Sequence, residues 1–167
     1  LWYNYPNKPS LDLGVKSMYN QWQQNLTPAP QFDKIYELFI SHSWDYGTAR
    51  DGLHKLLVAN LTTREAFRDS SAPKEHPIHS MNDADLINEL IERIGKIGLL
   101  IVPAGVYVTH SKWIQIEMAI AQRLGVPILA VRPFAVDRTS TVAMQGATQT
   151  VNWNGNSIAS AVRMLHA

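Results

Sequence analysis

The 167-residue chain contains no cysteine. Disulfides, thiolate nucleophiles and zinc–thiolate centres are excluded, and the absence fits a cytoplasmic protein. There is no GxGxxG string and no GxxxxGK[ST] string. The dinucleotide fingerprint of common oxidoreductases and the phosphate loop of ATPases are both missing, so any nucleotide must be held another way. No apolar run approaches about 18 residues, so no membrane span is expected. No signal-peptide pattern is visible. Neither sign of charge dominates: 15 basic and 14 acidic residues leave a formal net charge of +1. No Lys/Arg block is dense enough to track a phosphate backbone, and no nucleic-acid partner is expected. A GxSxG nucleophile elbow is absent. The string KEHPIH places His76 and His79 in a Pro-containing loop without further ligands, which is a poor metal site, so no metal is expected.

What is present suits one α/β domain with an added arm. Hydrophobic residues make up 46% of the chain, enough for a full core. Residues 1–32 stand apart, with two turn-like segments around a short helix over Leu13–Gln24. Trp2, Tyr3, Tyr5, Tyr19 and Trp22 would be unusual in a free tail, so the arm is expected to pack on the domain or on a partner. Residues 33–167 then alternate. Strands are predicted at Ile35–Ser41, Ala66–Ser70, Ile97–Pro103, Pro127–Arg132 and Thr148–Trp153. Helices are predicted at Thr48–Asn60, Asp83–Ile94, Ser111–Leu124 and Asn156–Leu165. Asn82 or Asp83 and Ser111 are natural N-caps, and Gly125 is a natural stop. Residues 71–82 and 133–146 read as loops. This alternation implies crossovers and an open, three-layer sheet of about five parallel strands with helices on both faces. Ligands in such folds bind beyond the carboxyl ends of the strands.

One residue breaks the pattern of its own helix. In HSKWIQIEMAIAQRLG, a wheel at about 100° per residue puts Trp113, Ile114, Ile116, Ile120, Ala121 and Leu124 on one broad side. Glu117 falls near the middle of that side. A helix built only for packing would carry Leu there. An ionised carboxylate facing a core pays a large desolvation cost unless it is hydrogen-bonded or opens into a cleft. Both readings stand at this level: a buried Glu satisfied by a structural partner, or a carboxylate at the floor of a ligand site.

Three strand-end segments carry further polar groups. FISHSWD puts Ser41, His42, Ser43, Trp44 and Asp45 at the end of the first strand, as turn and cap residues or as a site lining. FRDSSAPKEHP offers Asp69 for a ribose and Lys74 for a phosphate, or is a solvated loop. RPFAVDRTS carries Arg132 and Arg138, for a pyrophosphate or for the surface.

Together these pieces resemble the TIR superfamily, and within it the bacterial TIR-like group that includes the Thoeris anti-phage defence proteins. The matching strings are YELFISHSWDY, FRDSSAPKEHPIH, IGLLIVPAGVYVTHSKWIQIEMAIAQRLGVPILAVRPF and VNWNGNSIASAVR, in order from Tyr36 to Arg163. The resemblance implies a flavodoxin-like sheet. It also implies cleavage of NAD, as substrate and not as cofactor, to nicotinamide and ADP-ribose or a cyclic ADP-ribose-type signal read by a separate effector. No resident cofactor is implied, and homo-oligomerisation is left open. Glu117 matches the family's catalytic position. Ser41, His42, Ser43 and Trp44 match the loop that lines the nucleotide pocket, and Tyr107 and Trp113 would wall it. The rival reading is a non-enzymatic TIR-like interaction or assembly module, against which a core-facing Glu in an SxWxxxE arrangement speaks. A phospho-acceptor receiver would need an acidic pair after the first strand, which SHSWD lacks. A nucleoside-modifying transferase of similar topology would share the sugar chemistry.

Overall fold

The computed structural model describes residues 14, 16–18, 21, 31–41, 47–71, 82–105, 112–133 and 140–166. The chain divides into two compact units, Leu1–Gln31 and Phe32–Ala167. In the first, Gly14, Lys16, Ser17, Met18 and Gln21 are helical and exposed, within the helix expected there.

The second unit runs β1 (Lys34–Ile40), α1 (Gly47–Asn60), β2 (Glu65–Asp69), α2 (Asp83–Ile94), β3 (Leu99–Pro103), α3 (Lys112–Leu124), β4 (Ile128–Arg132), α4 (Thr141–Gln145), β5 (Gln149–Asn152) and α5 (Gly155–Leu165). All five strands pair in parallel, in the order β2-β1-β3-β4-β5. This is the flavodoxin-like winding. The strand order reverses between β1 and β3, so the crevice at their carboxyl ends is the switch point where such folds take ligands.

Strand side chains alternate between two cores, as the two-residue period requires. Tyr36, Leu38 and Ile40 of β1, Leu99 and Ile101 of β3, and Leu129 and Val131 of β4 pack with Leu53 and Leu57 of α1 and Ile158 and Val162 of α5. Phe39, Leu100, Val102, Ile128 and Ala130 face the other way, onto Leu90 and Ile94 of α2, Ile114, Met118 and Ala121 of α3, and Ala143 of α4. Every residue of β3 is buried, which is why it reads as an unbroken apolar run.

Helix ends follow their sequence signals. The Asn82 side chain accepts from the Asp85 N–H at 3.0 Å, with Asp83 and Asp85 in the first turn and Arg93 in the last. Asn154 caps α5 through the Ser157 N–H at 3.1 Å. Gly125 follows α3 with φ of +72°, a left-handed conformation that costs other residues about 1 kcal/mol or more.

Two sequence expectations need correction. The stretch 133–146 is not all loop, because α4 occupies Thr141–Gln145 behind its N-cap Ser140. Five residues are too few to show a helical period. Leu124, placed by the wheel on the packed side, is 45% exposed. It is the last residue of α3.

Candidate active site at the sheet switch point

The site is built from the end of β1 and the inner face of α3. Ser41 follows β1, and its N–H donates to the Ile101 carbonyl of β3 at 2.8 Å. It has the same parity as Phe39, so its side chain faces the α2–α3 layer. On α3, Ile114, Glu117, Met118, Ile120 and Ala121 are buried. Glu117 therefore meets Ser41 across the β1–β3 crevice, and the Ser41 hydroxyl donates to Glu117 Oε2.

Glu117 is 7% exposed, nearly sealed yet not fully so. Burial, which disfavours the charged form, pushes its carboxyl up from 4.5 to about 7, and the Ser41 bond works against that rise. The group thus exchanges its proton near neutral pH, the range a general base or a switchable charge needs. Its helix neighbours Ile114, Met118, Ile120 and Ala121 are buried and apolar, a low-dielectric setting in which one charge acts strongly.

Trp113 lies one helical turn before Glu117, half-buried against the same core. The Lys112 Nζ sits 5.0 Å from its ring centroid and pairs with Asp83 at 2.7 Å, tying α3 to the start of α2. Since α3 begins at the carboxyl edge of the sheet, Trp113 stands between Glu117 and that edge.

Asp69, at the end of β2, is engaged differently. Its Oδ1 accepts from the Ile40 N–H at 3.3 Å and the Ser71 N–H at 3.0 Å. Its Oδ2 pairs with Arg50 Nη2 at 2.6 Å, and Arg50 Nε reaches Ser71 Oγ at 3.0 Å. Both carboxylate oxygens have protein partners. His42, Ser43, Trp44 and Tyr107, expected at this edge from the sequence, lie outside the described residues, as do Lys74 and Arg138. Arg132 Nη1 reaches Asn152 Oδ1 of β5 at 3.5 Å.

Arg50 and Ser140 escaped the sequence reading. Arg50 precedes the buried Leu53 and Leu57 by three and seven residues, so an inward-facing cation was legible on the wheel. Ser140 is 1% exposed and donates its N–H to the Ala104 carbonyl at 3.0 Å, fixing α4 beside the end of β3.

A flavodoxin-like sheet with a buried carboxylate at its switch point defines an open α/β domain with a candidate site at the carboxyl edge of its strands. The chain belongs to the Thoeris protein ThsB, TIR-like domain family, whose model matches residues 39–138, from the end of β1 to beyond β4. Ser41, Asp69 and Glu117 all fall inside that match. The family places the chain with a defence-related, anti-phage group. No curated protein matches the chain. Among solved structures, it is similar to a CMP N-glycosidase, BcmB, of Clostridium botulinum, at 13% identity and a TM-score of 0.45, over 77% of this chain and 96% of that one. It is also similar to a 3-dehydroquinate dehydratase-like protein of Bifidobacterium longum, at 11% identity and a TM-score of 0.42, over 79% of this chain and 97% of that one. Likeness at this level carries no chemistry from one protein to the other.

Proposed function

We propose that this protein cleaves the nicotinamide–ribose bond of NAD, giving nicotinamide and ADP-ribose or a cyclic ADP-ribose-type signal that a separate effector reads in anti-phage defence. The observation that carries the proposal is the Glu117 carboxylate, buried at the switch point, held by Ser41 and poised to ionise near neutral pH.

The chemistry asks little else of the protein. Nicotinamide in NAD is a pyridinium, so when its bond to C1″ of the ribose breaks, both electrons move into the ring and a neutral base departs. No general acid is needed, in contrast to an ordinary glycoside with its two carboxylates. Positive charge builds on the sugar. An ionised Glu117 beside the ribose hydroxyls stabilises that charge. Water then adds its oxygen to C1″ and releases a proton, or a nucleophile elsewhere in the same molecule adds and closes a ring. A side chain titrating near 7 is matched to accepting that proton. Trp113, half-buried toward the edge, helps keep bulk water from the cation, which favours ring closure over hydrolysis.

The test is incubation with NAD, identification of products by mass spectrometry, and comparison with Glu117→Gln. Nicotinamide release by wild type and its loss in the folded variant are expected. Equal release by both rejects the role of Glu117. An interaction module without activity would release none under any assembly state.

A further inference from the structure

The Arg50–Asp69 pair lies one residue from Ser41 and has no part in the chemistry above. The end of β1 is gripped from two sides. Toward β3, the Ser41 N–H is held by the Ile101 carbonyl at 2.8 Å. Toward β2, the last backbone bond of the ladder runs from the Ser70 N–H to the Leu38 carbonyl at 2.8 Å. In register, Leu38 lies opposite Asp69, the final residue of β2, so beyond that point no β2 residue pairs with β1. The Asp69 side chain takes over there, its Oδ1 accepting the Ile40 N–H.

That carboxylate is itself immobilised. Arg50 binds Oδ2, the Ser71 N–H binds Oδ1, and Arg50 Nε also holds Ser71 Oγ. The Asp69 side chain is 6% exposed and Arg50 20%. A charged, nearly buried pair with four hydrogen bonds is costly merely to end a strand, since ordinary surface pairs contribute little and buried ones must offset desolvation. Its placement gives it a use. From the peptide it grips, the chain proceeds by one residue to the hydroxyl that meets Glu117.

We infer that Arg50 and Asp69 form a positioning pair that extends the β2 edge by one side chain, fixes the Phe39–Ile40 peptide, and thereby aims the Ser41 hydroxyl at Glu117. The pair acts on Glu117 through Ser41. The inference rests on the reading of Glu117 given above, but its test does not need NAD turnover. Without the grip, Ser41 is free to turn from Glu117, and the carboxylate loses the bond that favours its charged form.

The experiment follows the Glu117 side-chain carboxyl by 13C NMR titration in the full chain. Ser41→Ala is expected to raise the Glu117 midpoint by roughly one pH unit, the effect of one hydrogen bond to a carboxylate. Asp69→Ala is expected to raise it about as far, and to add nothing in the Ser41→Ala background, because both act through one contact. Asp69→Asn, which keeps an oxygen for the Ile40 N–H, is expected to shift it less. Folding is checked by circular dichroism melts. If Asp69→Ala does not fold, Arg50→Ala carries the same expectation, since it releases the carboxylate without removing it. A Glu117 midpoint unmoved in a folded variant, or shifts that add to that of Ser41→Ala, overturns the inference. Absence of NAD cleavage by wild type would instead strike the proposed function and leave this titration readable.

Discussion

Ser41 and Glu117 are 76 residues apart in sequence, and the Ser41 hydroxyl donates to the Glu117 carboxylate in a buried contact across the sheet switch point. A side chain that packing alone would make apolar is instead acidic and kept nearly dry. Burying such a group costs stability, because the charged form is disfavoured.

Glu117→Gln is expected to stabilise the fold while abolishing the proposed NAD cleavage. The carboxyl is raised from 4.5 to about 7 by burial, so its favourable contribution is fully present below 4.5 and lost as pH rises through about 7. At about 1.4 kcal/mol per pH unit, removing the charge recovers on the order of 3 kcal/mol at alkaline pH. Urea unfolding of wild type and variant at pH 8 and pH 4 measures it. The gain should shrink toward zero at the lower pH, and a gain equal at both would refute the electrostatic origin.

The rate of the proposed NAD cleavage should rise with pH through about 7 as Glu117 ionises. A kcat/KM profile between pH 5 and pH 9 tests this, and a rate falling over the same span would contradict a carboxylate acting in its charged form. Ser41→Ala should displace the rise to higher pH, because the Ser41 bond opposes the effect of burial.

His166 should make the fold acid-sensitive. Its Nε2 accepts the Glu37 N–H at 2.9 Å, its ring meets Tyr36 edge-on with centroids 5.2 Å apart, and its buried Nδ1 has no side-chain hydrogen-bond partner among the described residues. Burial, and then the Lys34 charge, lowers its value below 6.5. Protonation therefore favours the unfolded chain: the His166 contribution is complete above 6.5 and disappears as pH falls through the lower folded value. Glu117 slopes the opposite way over part of that range, so thermal midpoints are best compared in the Glu117→Gln background. There a His166→Asn variant should melt with a weaker dependence on pH between 4 and 7 than its parent. Identical slopes would remove His166 from the account.

Gly125→Ala should destabilise the domain by about 1 kcal/mol through backbone strain alone. Its φ is +72°, and nothing lies within 4 Å of where a Cβ would stand, so no steric clash contributes. Thermal unfolding compared with a Gly125→Asn variant, which tolerates the left-handed region better, isolates the conformational term; equal losses would show that the φ angle is not the cause.

Much of this protein was legible in one dimension. Unbroken apolar runs at 99–103 and 128–131, an Asn before DADLINEL, and a Gly closing an amphipathic stretch specify strands and helix ends by local physics, because side-chain period and backbone capping depend on neighbours in the chain. The misplaced carboxylate at Glu117 was visible for the same reason, as a break in a 3.6-residue pattern. Tertiary structure alone decided what that carboxylate meets. Strand order is set by how crossovers pack, and only the reversal between β1 and β3 brings Ser41 beneath α3. Asp69 shows the same division: the sequence places it at a strand end, and the tertiary structure brings Arg50 and backbone N–H groups to it. Periodicity tells which face a residue presents, while the partner across the gap depends on how distant segments are threaded together.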